Sequence, residues 1–337
     1  MDIMNKYKSE FIVKFGNLME KNLPVWQEFQ KMYRKKLYTS DLGTYFVAFA
    51  VGFIPGKRET DYFNNLWLHF WFGVILLIGA IITTIGLENK SYQTDVKKTF
   101  FNDLLKVFGK NIHHKIWEDF SILDEYNSYN SQISYITNSE IENSDLFESV
   151  VMTRNSDDVF YGVYNKVNFS INETEFGWNE NDKHQTYHQM FKGVALKFQM
   201  NKQIKSRVLI YSKSLTNMCP KGYEKVNLEY NEFNKKYNVY VKQDDTHEGQ
   251  IEARYLFNTA FLNRFMQLHM SFGVKKLKCS VYNNKLLIFL DTKRDLFEMN
   301  HLLGKINDIK QYETLFNEFA SIFSFIDVLN LSSITKL

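Results

Sequence analysis

Hydrophobic and polar positions alternate in three different rhythms along the chain, and each rhythm predicts a different kind of element. Between Met4 and Lys35, Tyr7, Phe11, Phe15, Leu18 and Leu23 recur at helical spacings among charges. That predicts an amphipathic helix, with an interruption at Asn22–Pro24 where the ring removes a backbone donor. Its apolar face suits lipid or the large domain; the pattern does not choose, and packing against protein is the commoner outcome.

The second rhythm is no alternation at all. Leu66 to Leu87 reads LWLHFWFGVILLIGAIITTIGL, 22 residues without Asp, Glu, Lys or Arg. As a helix the run would extend roughly 33 Å, about the hydrocarbon thickness of a bilayer. Trp67, His69 and Trp71 at one end fit an interface, and Gly73, Gly79 and Gly86 offer close approach to another helix or a second copy. A weaker run, Leu42 to Ile54, reaches spanning length only when extended from Leu37 to Pro55, with Asp41 near its boundary. Together the runs predict a transmembrane hairpin with spans at 37–55 and 66–87, broken at Pro55-Gly56. Lys31, Arg34, Lys35 and Lys36 flank one side and Lys90, Lys97 and Lys98 the other, against Lys57 and Arg58 in the loop. This bias predicts a multi-pass cell-membrane protein with both termini cytoplasmic.

Beyond the hairpin, Phe100, Leu104, Phe108, Ile112 and Ile116 extend a helical period over Val96–Phe120. Ile133 to Ile136 looks strand-like. The period then shortens to two, and predicts strands at 150–153, 159–164, 167–171, 194–200, 207–211, 237–241, 277–282 and 286–290. Tyr282-Asn283-Asn284-Lys285 has the residues of a hairpin turn, because Asn tolerates left-handed dihedrals. Glu252–Phe265 and Ile309–Leu329 return to helical spacing. The expected architecture is α+β: an amphipathic segment over 1–36, a two-helix transmembrane hairpin over 37–88, and a cytoplasmic antiparallel-sheet domain with flanking helices over 92–337.

Composition adds restraint. Net charge is +3, from 41 basic and 38 acidic residues, which argues against a nucleic-acid specialist. Thirty Phe and twenty Tyr favour a well-filled core and strands. Cys219 and Cys279 have no metal spacing and suit a reducing compartment as free thiols.

Catalytic and cofactor motifs are missing from the sequence: no phosphate-binding glycine loop, no zinc-protease helix, no nucleophile elbow. No catalytic, cofactor or metal residue is therefore assigned, no cofactor is implied, and an enzyme is the less favoured reading. His184 and His188 could share a helical face and a metal, but a polar surface loop accounts for them. His113-His114 fit solvent exposure or helix capping. Asp157-Asp158, with Asn155-Ser156, reads as a turn at a strand entry, or as paired carboxylates for a cation. Glu173 and Glu175 would join that pair if the adjacent strands form a hairpin. Lys192-Gly193 and Asn201-Lys202 suit either turns or an anion patch.

The early apolar pair, Asp157-Asp158 with Gly162, Glu173-Thr174-Glu175, Met190-Phe191-Lys192-Gly193, Asn201-Lys202, Phe233 through Tyr240 and the strand pair ending near Phe289 together resemble the DUF3137 family of uncharacterised bacterial membrane proteins. The resemblance runs roughly from residue 10 to 330. It implies the same architecture and carries no activity. The leading expectation is a membrane-anchored binding or scaffold protein with the bilayer and another protein as partners, and with homo-oligomerisation open. The alternatives are a lipid or small-ligand binding or processing domain at the inner leaflet, or an accessory transporter subunit.

Overall fold

The computed structural model describes residues 3–39, 45, 47, 49–50, 66–108, 111–116, 135–147, 153–180, 186–215, 219–243, 248–298 and 302–334. The chain divides into two compact units. One comprises Gly16–Phe100 and Glu298–Tyr312; the other comprises Met1–Phe15, Phe101–Phe297 and Glu313–Leu337.

In the first unit, α1 (Ile3–Thr39) and α2 (Leu66–Val96) contribute their facing segments. Trp26 meets Phe100 at 5.0 Å, Tyr33 meets Tyr92 at 5.6 Å, and Lys36 pairs with Glu88 at 3.2 Å. These contacts set the two helices antiparallel. Residues 302–304 are fastened to α1: Arg34 donates to the Leu302 and Gly304 carbonyls, both at 2.8 Å. Lys97, almost fully buried, is neutralised by Glu298 at 2.5 Å. Contrary to the expected break, α1 runs straight through Pro24.

The apolar part of α2 is bare. Phe70, Trp71, Phe72, Ile75, Ile78, Ile82 and Leu87 are all exposed, and only 11% of its most apolar window is buried. A soluble core helix would hide such a face. Among the described residues a single helix, Phe70–Leu105, is long and apolar enough to cross a membrane. The two-helix transmembrane hairpin is therefore corrected to one candidate span. Leu37–Thr39 of the expected first span belong to α1, and most of the remainder, including the Pro55-Gly56 break, lies outside the described residues. That run has too short an apolar centre to cross unaided. A single candidate span is inconsistent with the expected multi-pass topology with both termini cytoplasmic, and that expectation falls with the hairpin.

The second unit is mixed α+β. Helical structure passes through a π-turn at Lys97–Phe101 and ends with α3 (Asn102–Leu105). The expected helix to Phe120 gives way to β1 (Ile112–Ile116), where Ile112, His114 and Ile116 are buried in alternation. Apolar residues four apart satisfy both periods, which is why the pattern misled. β2 (Thr153–Tyr164), β3 (Val167–Asn179), β4 (Tyr187–Ser212), β5 (Tyr223–Val226), β6 (Tyr237–Lys242) and β7 (Lys276–Asp291) complete an antiparallel sheet among the described residues. Its order is β1-β2-β3-β4-β6-β5, with β7 also paired to β4. The first half of β4 pairs with β3 and the second half with β6, while β7 accompanies both halves.

β4 and β7 are each one continuous strand, where sequence spacing predicts two. The polar stretches that resemble turns are absorbed as register shifts, at Gln199/Ile204 and Ile204/Val208. Asn283 does adopt a left-handed conformation, φ 54°, but within the strand. It relieves a bulge rather than closing a hairpin. The predicted 252–265 helix is likewise divided, into α5 (Glu248–Leu256) and α6 (Thr259–Ser271), because Asn258 accepts the Phe261 N–H and caps a new helix.

Both faces of this sheet are covered. α7 (Glu313–Ile334) lies on one face, where Phe198 meets Phe325 at 5.4 Å and Phe160 meets Phe319 at 5.2 Å. Residues 135–147 cover the other, packing Ile136, Ile141 and Leu146 against Phe176, Phe191 and Phe289. Ile136, expected in a strand, is buried irregular chain here.

Candidate functional site

The most chemically loaded place in the sheet unit is where β1, β2 and β3 run side by side. Asp157 and Asp158 are part of β2, not a turn before it, and the β2–β3 register shifts between Ser156 and Val159. The irregularity brings Asp157 and Asp158 together with Glu173. One carboxylate oxygen from each lies within 4.8 Å of the other two. Asp157 is exposed, Glu173 half-buried and Asp158 fully buried.

Asp158 and Glu173 are held from behind. His114 Nε2 lies 2.6 Å from Asp158 Oδ1, and its ring sits between Phe101 at 4.7 Å and Phe160 at 4.9 Å. The His114 backbone N–H donates to Asn102 Oδ1 at 3.2 Å. Glu173 Oε1 accepts the Leu296 N–H at 2.9 Å. Gly162 lets β1 approach: a Cβ there would stand 1.9 Å from the Asn111 carbonyl oxygen. Three carboxylates this close repel one another. Oxygen donors without sulfur or imidazole in the group suit a hard divalent cation, calcium, magnesium or manganese, or a cationic ligand group.

The other sequence candidates disperse. Glu175 points away and pairs with Lys192 at 2.9 Å. Gly193, φ 150°, is fixed by strand packing, since a Cβ would meet the Leu290 carbonyl oxygen at 2.0 Å. No phosphate cradle is needed to explain it. Asn201 and Lys202 continue β4, and their side chains lie outside the described residues. His184 also lies outside them, while His188 stacks on Trp178 at 4.3 Å and pairs with Glu180 at 3.1 Å. Expected solvent exposure holds for His113 and not for His114, the residue sequence reasoning missed. The apolar alternation Ile112-x-His114-x-Ile116 was the signal that could have placed it.

Other charged groups in the sheet unit are buried or half-buried outside this cluster. Lys197 pairs with Glu140 at 2.9 Å and donates to the Tyr135 carbonyl, while Lys285 reaches the second Glu140 oxygen at 2.7 Å. Burial works to raise the Glu140 pKa, but the two lysines outweigh it and hold the carboxyl below its ordinary range. Glu318 on α7 is the opposite case. Burial pushes it up to about 7, and Arg294 and the Phe297 N–H offset only part of that effect.

Residues 189–331 match the family model described as "Protein of unknown function (DUF3137)". The chain matches the DUF3137 family. The DUF3137 span takes in β4 through most of α7; Asp157, Asp158 and Glu173 precede it. No curated protein matches the chain. Among solved structures, the mycobacterial trehalose monomycolate transport factor A, TtfA, is similar at a TM-score of 0.27 and 10% identity, over 51% of this chain and 73% of that one. A likeness at this level fixes neither fold nor function.

Proposed function

We propose that the chain is a membrane-attached domain that binds a lipid or small ligand, with the Asp157–Asp158–Glu173 site as its anchoring point and a hard divalent cation as the bridge. The observation that carries the binding role is the convergence of three carboxylate oxygens within 4.8 Å. A cation relieves their repulsion and leaves coordination positions for ligand oxygens. The bare apolar helix Phe70–Leu105 supports attachment. The convergence of carboxylates supports ligand binding over the scaffold reading.

Calorimetric titration of the full chain in mild detergent with calcium and with manganese tests the site. Saturable binding is expected for the wild type and its loss for Asp157→Asn/Glu173→Gln. Absence of saturable binding, together with native mass spectra free of retained lipid or metabolite, would sink the proposal.

A further inference from the structure

One end of the sheet gathers five lysines. β4 ends at Ser212, which pairs with Tyr237 at the start of β6, while the Ser212 hydroxyl accepts the Leu277 N–H at 3.0 Å at the start of β7. Just past these positions, the Lys213 N–H donates to the Lys236 carbonyl at 2.9 Å, and Ser214 Oγ donates to the Lys275 carbonyl. Backbone pairing therefore brings Lys213, Lys235, Lys236, Lys275 and Lys276 to one margin, and all five are exposed. Lys235 and Lys236 form the last turn of the short helix α4 (Asn231–Lys236).

Among the described residues none of the five has an ion-pair partner. Lysines turned toward the carboxylates of the same unit are paired, as Lys192 is with Glu175 and Lys197 and Lys285 are with Glu140, so what sets these five apart is that they stand together. Glu232, in the first turn of α4, offsets part of this charge, and the lysines in excess raise a local positive potential while the whole chain stays near neutrality. Met270, 59% exposed on the last turn of α6, follows His269, whose Nδ1 lies 2.6 Å from the hydroxyl of Tyr237, the residue after Lys236. Lysines around an exposed apolar residue make a surface that fits anionic headgroups over acyl chains.

We propose that this sheet end docks on anionic phospholipid in the membrane that holds the chain. The inference rests on membrane attachment but not on the carboxylate site. A tether to the bilayer keeps the patch at high effective concentration near headgroups, so modest charge attraction suffices.

The full chain is reconstituted in nanodiscs of phosphatidylcholine alone or mixed equally with phosphatidylglycerol, and lysine acetylation is followed by mass spectrometry. In the anionic discs the five lysines are expected to react about fivefold more slowly, the factor for one basic side chain near an anionic surface. Lys221 serves as an exposed control and keeps its rate. High salt abolishes the difference. In Lys235→Gln/Lys236→Gln/Lys275→Gln/Lys276→Gln the protection at Lys213 is lost. Incorporation with equal rates in both discs overturns docking and leaves attachment standing. A chain that enters neither disc overturns both. Slowing by added RNA in neutral discs, with none from anionic lipid, assigns the patch to nucleic acid and overturns the proposal.

Discussion

His114 and Asp158 face each other across β1 and β2 at 2.6 Å, both buried, with Phe101 and Phe160 closing over the imidazole. Removing one partner strands the other in an apolar site. Asp158→Ala is expected to cost about 3 kcal/mol of stability, measured by urea unfolding of the full chain in detergent. A cost near zero would mean water reaches the pair.

Glu318 makes stability depend on pH. Its carboxyl has an ordinary value of 4.5 and sits at about 7 in the fold. Between those values the folded chain keeps a proton that the unfolded chain has released, so stability falls as pH rises through this window and levels above it. Glu318→Gln cannot ionise. At about pH 8 it is expected to be more stable than wild type by about 3 kcal/mol, and at about pH 4 indistinguishable. Melting curves across that range check the slope, and parallel profiles would refute the assignment.

How legible was this arrangement? α7 was readable from Leu315, Phe319, Ile322 and Ile326, because a long amphipathic helix needs only its own period. Most strand cores were readable too. Their joins were not: Asn201–Ser206 and Asn283-Asn284 have turn chemistry, and only pairing between β4 and β7 decides that they are bulges. The candidate site was half legible. Asp157, Asp158 and Glu173 stood out as residues, but their meeting depends on a register shift and on β1, whose His114 has no local motif.

Gly162 is where β1 can be tested. A Cβ would stand 1.9 Å from a backbone oxygen of Asn111, which cannot swing aside as a side chain would. Gly162→Ala is expected to destabilise by about 2 kcal/mol or more and to raise amide exchange along Ile112–Ile116 selectively. Unchanged exchange there would contradict the strand pairing.

The candidate span makes its own prediction. Ile78 is half exposed near the centre of the apolar run. Ile78→Arg is expected to disfavour insertion by about 3 kcal/mol, read as protein released by alkaline carbonate from membrane fractions. Equal retention of variant and wild type would show that this helix does not carry the attachment.

β4 also governs the order of events at the ribosome. Its N-terminal half acquires β3 as a neighbour during synthesis, yet its other edge waits for β7, since Gly193 meets Asp291 and Tyr211 meets Lys278. Until the chain as far as Asp291 has emerged, a long row of unpaired amides and carbonyls stands open to any other strand. The nascent protein is therefore most exposed to aggregation late in translation, and chaperone engagement should peak between the completion of β6 and that of β7.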